Sequence, residues 1–176
     1  MMIQETKCSK ECLKKLGERI WKGSRTIGTD SKGVARGMGI WWNPRDFSLQ
    51  HFVATKHSIS AIFHIIGKRI KGCITNVYGP FQIAHKQAFV DSLEDIKEWV
   101  GTRHWVVGGD FNLIKCLEEK KGGQRTLGKI SEAFSKTIIN LDLVDVVTSN
   151  TLHTWSNKRS WDRHIASCLN RFLLSE

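Results

Sequence analysis

The chain has 176 residues, with 27 lysines and arginines against 17 acidic residues and a formal net charge of +10. This length suits one domain with a hydrophobic core, so we expect a single domain over residues 1–176. The charge favours a polyanionic partner such as nucleic acid, although a basic surface also serves solubility. Scattered cysteines, five in number, and the absence of an apolar run near 20 residues argue against a disulfide-rich secreted protein and a membrane protein. We expect a soluble chain in a reducing compartment.

The predicted elements mix helices and strands. After Ser9, a candidate N-cap, apolar residues at helical spacing predict a helix with Leu13, Leu16 and Ile20 on one apolar stripe. Runs of β-branched and aromatic residues then predict four strands that are close enough in sequence to be antiparallel neighbours, at 37–42, 47–54, 58–66 and 72–78.

The second half continues the alternation. We predict a helix containing Phe89, Leu93, Ile96 and Val100, a strand at 104–109, a helix containing Phe134, Ile138 and Leu141, and a final strand-like run at 168–174. This mixture predicts an α/β sandwich with sheets inside and helices outside.

Polar residues follow three apolar runs, where they can reach ligands at the rim of a sheet. Glu5 follows "MMI", Tyr78 follows "CITNV", and Asp110 and Asn112 follow "WVV". If the strand geometry persists, alternation directs Asp110 and Asn112 to the same side. A carboxylate can accept a proton from water or bind Mg²⁺, and an amide can orient water or a phosphate oxygen. On spacing alone, a turn is the favoured interpretation, because Gly, Asp and Asn are turn formers.

Other candidate residues also have ordinary interpretations. Alone, Glu5 is an exposed glutamate, Tyr78 is an interfacial aromatic, and His153 is a surface histidine. We expect the tryptophans to be core residues, although one at a rim could stack on a base: Trp41, Trp42, Trp105 and Trp155. A basic stretch surrounds the first apolar stripe and predicts either phosphate contacts or only a solvated face: Lys7, Lys10, Lys14, Lys15, Arg19, Lys22 and Arg25.

Seven short motifs occur in a familiar order: "IQETK", "NVYGP", "VVGGDFNLI", "KGGQR", "LDLVDVV", "HTWSN" and "LNRFLLS". In this order they resemble the endonuclease domain of plant LINE-type non-LTR retrotransposons, a branch of the endonuclease/exonuclease/phosphatase superfamily. The resemblance implies a four-layer α/β sandwich of the DNase-I-like type, in which two mostly antiparallel or mixed β-sheets are flanked by helices.

The resemblance also implies metal-dependent cleavage of DNA, with Mg²⁺ or Mn²⁺ as the cofactor. Carried over by position, Glu5 is the metal ligand, Tyr78 contacts the scissile phosphate, Asp110 activates the attacking water, and Asn112 orients phosphate or water. Thr154 and Trp155 match a strand near the substrate groove. Such an element nicks target DNA to prime reverse transcription. The implied partners are therefore DNA and, in the parent element, a downstream reverse transcriptase, with a nuclear location if the chain functions.

The sequence departs from the family pattern in two ways. The family's first strand and its last strand, which bears the catalytic histidine, have no counterpart in residues 1–176, and neither His153 nor His164 takes that histidine's place in the motif order. Asn170 stands where the family has an orienting aspartate, and loss of such an acid costs about 10⁴ in rate in a serine protease triad. We therefore expect an incomplete, degenerate domain. The alternatives are an inactive nucleic-acid-binding remnant and a phosphatase of the same superfamily.

Overall fold

The computed structural model describes residues 1–30, 37–123, 126–146 and 153–175. The chain forms two compact units, the first made of Met1–Tyr78 and Val100–Gly109 and the second of Gly79–Trp99 and Asp110–Glu176. The first unit contains helix α1 (Lys10–Ile20) and strands β1 (Met2–Ile3), β2 (Arg25–Gly28), β3 (Gly39–Trp42), β4 (Phe47–Ala54), β5 (Ser58–Ile65), β6 (Lys71–Tyr78) and β7 (His104–Asp110). The second contains helices α2 (Ile83–Val100) and α3 (Lys129–Asn140) and strands β8 (Lys120–Lys121), β9 (Leu143–Asp145), β10 (Trp155–Ser156), β11 (Ala166–Ser167) and β12 (Asn170–Ser175).

The strands of the first unit belong to two sheets. β4, β5 and β6 pair antiparallel, and β7 lies beside β6. β3 pairs antiparallel with β1 on one side and β2 on the other. The expectation that β3 would neighbour β4 is therefore wrong. Both edges of β3 are already paired, so no backbone groups remain there for β4.

Helix α1 begins where the sequence predicts. Ser9 Oγ accepts a hydrogen bond from the Cys12 backbone N at 3.3 Å, which is an N-cap bond. Only Leu13 of the predicted apolar stripe is buried, however, because Leu16 and Ile20 are 42% and 62% exposed. The buried positions are Leu13 and Gly17. A Cβ at Gly17 would lie 3.1 Å from the Trp41 ring, so the missing side chain allows close packing on this face.

In the second unit, the two predicted helices bury their apolar residues. Phe89 on α2 and Phe134 on α3 are both about fully buried, at 2% and 0% exposed. The Phe111 ring lies 6.3 Å from the Phe89 ring and 5.3 Å from the Phe134 ring, measured between centroids. β12 pairs antiparallel with β9, and β11 pairs antiparallel with β10 and β8. Among the described helices, none combines the length and apolar character needed to cross a membrane.

Candidate active site

Glu5 and Tyr78 are brought together in the first unit. The Tyr78 hydroxyl donates a hydrogen bond to Glu5 Oε1 at 2.7 Å. Tyr78 ends β6 and is only 9% exposed, whereas Glu5 follows β1, is exposed, and has a left-handed backbone with φ of 54°. A buried phenol therefore fixes the orientation of a carboxylate at the surface, which is the arrangement a metal ligand needs.

Two amide side chains, called here the amide pair (Gln4 and Asn76), hold the backbone on either side of this contact. Gln4 Nε2 donates to Asn76 Oδ1 at 2.8 Å and to the Val77 carbonyl at 2.9 Å. Asn76 Nδ2 donates to the carbonyls of Ile3 and Gly39, both at 2.9 Å. The Asn76 bonds link β1 and β3 to β6, two residues before Tyr78.

Gly109 is the second glycine of the "GGD" motif, and its backbone conformation explains why glycine occurs there. Its φ of 141° is a conformation that side chains rarely adopt. A Cβ at this position would also overlap the Val77 carbonyl oxygen and the Gln4 amide nitrogen. Glycine is therefore required where β7 passes the amide pair.

Asp110 and Asn112 form a turn in the second unit. β7 ends at Asp110, and Asn112 has a left-handed φ of 51°, so strand alternation does not continue to Asn112. The Asn112 backbone N donates to Asp110 Oδ1 at 2.9 Å. The turn interpretation is correct, and the physical reason is that Asp and Asn bond their own backbone and tolerate the left-handed region.

The Asn112 side chain is buried in a structural contact. Its Nδ2 donates to the Gly79 carbonyl at 2.8 Å, and the Gly79 backbone N donates to the Asp110 carbonyl at 2.7 Å. Asn112 is 6% exposed. The amide therefore stabilises the turn that carries Asp110.

Lys86 is a residue that the sequence did not reveal. Its Nζ donates to the Asn112 carbonyl at 2.6 Å. Burial lowers the pKa of this amine, and the charge of Asp110 partly opposes that shift. No sequence signal marks Lys86, because a lysine in a helix is ordinarily a solvated surface residue.

Thr154 and Asn170 also lie together in the second unit. Thr154 Oγ1 accepts from the backbone N of Leu169 and of Asn170, both at 2.9 Å, and from Asn170 Nδ2 at 3.4 Å. Trp41, Trp42 and Trp105 are buried as expected. Trp155 is 44% exposed, so its expected core position is wrong. It lies in the two-residue edge strand β10, which pairs on one side with β11.

The two histidines considered above have different surroundings. His153 was expected to be a surface histidine in a strand, but it precedes β10, is half-buried, and its Nε2 is buried without a hydrogen-bond partner among the described residues. His164 Nε2 lies 3.0 Å from Ser156 Oγ.

A set of charges with two buried members, Glu119 and Arg171, and two half-buried members, Lys115 and Asp145, is called here the ion cluster, and no pattern in the sequence marks it. Arg171 donates to Glu119 Oε1 and Oε2 at 2.9 and 2.8 Å and to Asp145 Oδ2 at 2.7 Å. Burial acts to lower the pKa of Arg171, but hydrogen bonding to Glu119 and the charges of Glu119 and Asp145 outweigh it, and the pKa is raised. The four residues are spread over 57 positions of sequence, from 115 to 171, and only folding assembles them.

The ion cluster joins the chain after Asn112 to the strand that begins at Asn170. Arg171 Nη2 donates to the Leu113 carbonyl at 3.3 Å and to the Cys168 carbonyl at 3.0 Å. The Lys115 backbone N donates to Glu119 Oε2 at 2.7 Å. Arg171 therefore ties two backbone segments that carry candidate site residues.

The carboxylates limit how a metal can bind. Within the part of the chain that the structure describes, no group of three or more His, Cys, Asp or Glu is arranged to hold a metal ion. Mg²⁺ needs only one or two protein carboxylates, since waters and substrate phosphates complete its coordination. Glu5, exposed and oriented by Tyr78, fits this mode of binding.

No family model and no curated protein matches the sequence. Among solved structures, the endonuclease domain of TRAS1, a telomere-specific non-LTR retrotransposon, gives a TM-score of 0.69 at 11% identity and covers 100% of this chain and 85% of that chain. D. rerio TDP2 complexed with single strand DNA product gives 0.64 at 12% identity, covering 99% and 70%. The mannosyl-6-phosphatase of Bacteroides thetaiotaomicron gives 0.63 at 13% identity, covering 94% and 68%.

The chain has the fold of the endonuclease/exonuclease/phosphatase proteins. The predicted DNase-I-like architecture, a mixed α/β structure with sheets flanked by helices, is therefore confirmed. Both nucleases and phosphatases share the endonuclease/exonuclease/phosphatase fold, so the chemistry has to be argued from the residues.

Proposed function

We propose that this chain is an Mg²⁺- or Mn²⁺-dependent endonuclease domain that cleaves DNA phosphodiester bonds, derived from a plant LINE-type non-LTR retrotransposon. The observation that carries the proposal is the 2.7 Å hydrogen bond from the Tyr78 hydroxyl to the exposed Glu5 carboxylate. A fixed surface carboxylate beside a phenol suits a metal ion and a phosphate oxygen. The retrotransposon endonuclease and the complex of TDP2 with single strand DNA support DNA as the substrate class.

Each residue has a distinct role in this proposal. Glu5 binds the ion, which would stabilise the negative charge that develops on the phosphate. The Tyr78 hydroxyl contacts the scissile phosphate by turning its single proton from Glu5 Oε1 to a phosphate oxygen when the substrate binds. Asp110 accepts a proton from the attacking water. Asn112 holds the turn through Gly79, and Lys86 places a positive charge near Asp110.

We infer that cleavage is weak. Asn170 is neutral, and its Nδ2 lies 3.4 Å from Thr154 Oγ1, so it supplies no negative charge to orient or stabilise an imidazolium. Binding of DNA without cleavage is the second candidate function. The exposed Trp155 ring favours it, because an exposed indole can stack on a base.

The test is nicking of supercoiled plasmid by the purified chain with Mg²⁺, with EDTA, and with the isosteric variant Asp110→Asn. We expect slow nicking that EDTA abolishes and that Asp110→Asn lowers by about 10² to 10⁴, the usual contribution of a general base. Asp95→Asn, which changes an exposed aspartate of α2, is the matched control and should nick like the parent.

Four results would contradict parts of the proposal. Nicking that persists in EDTA would exclude a requirement for a metal ion. Nicking that is unchanged in Asp110→Asn would exclude Asp110 as the general base. Release of phosphate from sugar phosphates without plasmid nicking would favour the phosphatase alternative. Retained DNA binding by folded protein that never nicks would leave binding as the function.

A further inference from the structure

A cleft in the first unit shares no residue with the proposed catalytic set. Its volume is about 1140 Å³, and its walls come from α1, the segment after α1, β2, β3 and β4. Its lining combines basic side chains of α1 and of the segment after it with aromatic and aliphatic side chains of β3, β4 and the loop after β5. This volume exceeds what a single nucleotide-sized ligand needs.

Most of the charged side chains that line the cleft are basic. Lys14, Lys22 and Arg25 line it together with one acid, Glu18, which leaves a local charge of +2. None of the three basic side chains forms an ion pair among the described residues, whereas Lys10 on the same helix lies 3.9 Å from Asp30. Unpaired cations that share a concave wall attract phosphate groups.

The floor of the cleft is apolar. Trp42 and Phe47 both pack edge-on against the buried Phe63 ring, with centroids 5.3 and 6.1 Å away. Ile66 on the same surface is 47% exposed. An aromatic and aliphatic floor beside cations is the combination that accepts a nucleobase next to its phosphate.

Ser24 adds a polar group that the fold leaves unused. The residue lines the cleft and is 7% exposed, and its hydroxyl has no hydrogen-bond partner among the described residues. A buried hydroxyl without a partner is unfavourable, and rotation about its Cα–Cβ bond would allow it to donate to a ligand oxygen.

We propose that this cleft binds one nucleotide unit of a single-stranded nucleic acid, with the phosphate at Lys14, Lys22 and Arg25 and the base on the apolar floor. A strand fits better than a free nucleotide because basic residues of the same stretch continue along α1 outside the cleft, at Lys15 and Arg19. These residues can contact neighbouring phosphates of one strand. The basic stretch that the sequence left open between phosphate contact and a solvated face thus contributes phosphate contacts.

The experiment measures fluorescence anisotropy of a labelled oligothymidylate with the full chain in EDTA, where no metal-dependent cleavage occurs. The cleft variant carries Lys14→Gln, Lys22→Gln and Arg25→Gln. The matched control carries Lys129→Gln, Lys136→Gln and Arg163→Gln, which remove the same charge from exposed positions outside the cleft. We expect about 10-fold weaker binding for the cleft variant and a slope of log K against log salt that is smaller by about 0.7, the value for the loss of one phosphate contact on a single strand.

Competition then separates a nucleotide from a phosphate ion and from a strand. Thymidine monophosphate should displace the oligonucleotide from the parent chain at concentrations where inorganic phosphate of equal ionic strength does not, and a longer oligonucleotide should compete better than the mononucleotide. Equal weakening of the cleft and control variants, or equal competition by inorganic phosphate, would overturn the proposal. The mild variant Ile66→Ser, at an exposed floor position, should also weaken binding, and an unchanged affinity would argue against a bound base.

This result is independent of the proposed function, because it is obtained without a metal ion and does not require cleavage. If the parent chain nicks DNA, and the parent and the cleft variant bind the oligonucleotide with equal affinity, only the cleft proposal is overturned. A chain that binds through the cleft but never nicks would overturn only the endonuclease proposal.

Discussion

The two units position their candidate residues by different kinds of interaction. In the first unit, the amide pair uses neutral hydrogen bonds, and Asn76 is 0% exposed. In the second unit, the ion cluster uses charges, and Arg171 is 5% exposed. Removing a neutral amide leaves unpaired carbonyls, whereas removing one charge also leaves another charge buried without its partner. The charged arrangement should therefore be the more sensitive one to substitution.

The largest loss of stability is expected from a substitution in the ion cluster, the charged half of this comparison. Arg171→Met should lower the free energy of unfolding by about 3–5 kcal/mol, because the Glu119 carboxylate stays buried without its guanidinium partner. Urea unfolding followed by tryptophan fluorescence measures the change. Arg159→Met, at an exposed arginine, is the control. A loss below about 1 kcal/mol would show that the ion cluster contributes no more than a surface ion pair.

The second-largest loss of stability is expected from a substitution in the amide pair, the neutral half of the comparison. Asn76→Leu removes two donors to backbone carbonyls and the acceptor for Gln4, so we expect a loss of about 2–3 kcal/mol. The same urea measurement applies, with the exposed Asn140→Leu as control. If Asn76→Leu proved more destabilising than Arg171→Met, the contrast between neutral and charged positioning would be wrong.

The pH dependence of stability adds to the comparison. The amide pair does not titrate, but β6, which carries Asn76, also carries the thiol of Cys73, which does. Burial raises the pKa of Cys73 from 9.0 to about 11. The folded state therefore keeps this proton to higher pH than the unfolded state, and stability present below pH 9 is lost as pH rises from 9 to 11. We expect an alkaline loss of about 2–3 kcal/mol, from two pKa units at about 1.4 kcal/mol each, that Cys73→Ala removes and Cys12→Ala, at an exposed thiol, retains. Equal pH slopes for all three proteins, measured by urea unfolding at several pH values, would contradict this assignment.

The smallest effect concerns the partly exposed contact of the first unit. Tyr78→Phe should cost about 1 kcal/mol of stability or less, because Glu5 regains water when the hydroxyl is lost. It should also weaken Mg²⁺ binding in calorimetric titration. A double-mutant cycle with Glu5→Gln isolates the pair. A coupling energy near zero would mean that the phenol does not orient the carboxylate.

Much of the secondary structure was accessible from the sequence. The strand at 47–54 was predicted with its observed bounds, Ser9 was predicted as an N-cap, and the turn at Asp110 and Asn112 was the favoured interpretation. These features depend on local residue types: alternating or β-branched runs, a capping hydroxyl, and side chains that bond their own backbone. The resemblance of seven motifs to one superfamily also agreed with the observed fold.

The candidate site was accessible only in part. The sequence pointed to Glu5, Tyr78, Asp110 and Asn112, and the structure pairs the first two and the last two. It did not point to Lys86 or Arg171, since a single lysine or arginine carries no signal of burial. Their partners lie 26 and 52 residues away, at Asn112 and Glu119. Such contacts depend on which strands and helices meet, and spacing along the chain does not record that.

The sequence by itself determined where most strands and helices form and which polar residues follow them, because these depend on periodicity and on local hydrogen bonding. Only the tertiary structure decided that β3 pairs with β1 and β2, that Leu16 and Trp155 are exposed, and that the ion cluster assembles. The physical reason is that pairing and burial depend on neighbours distant in sequence, and a pattern along one segment cannot specify which neighbour covers it.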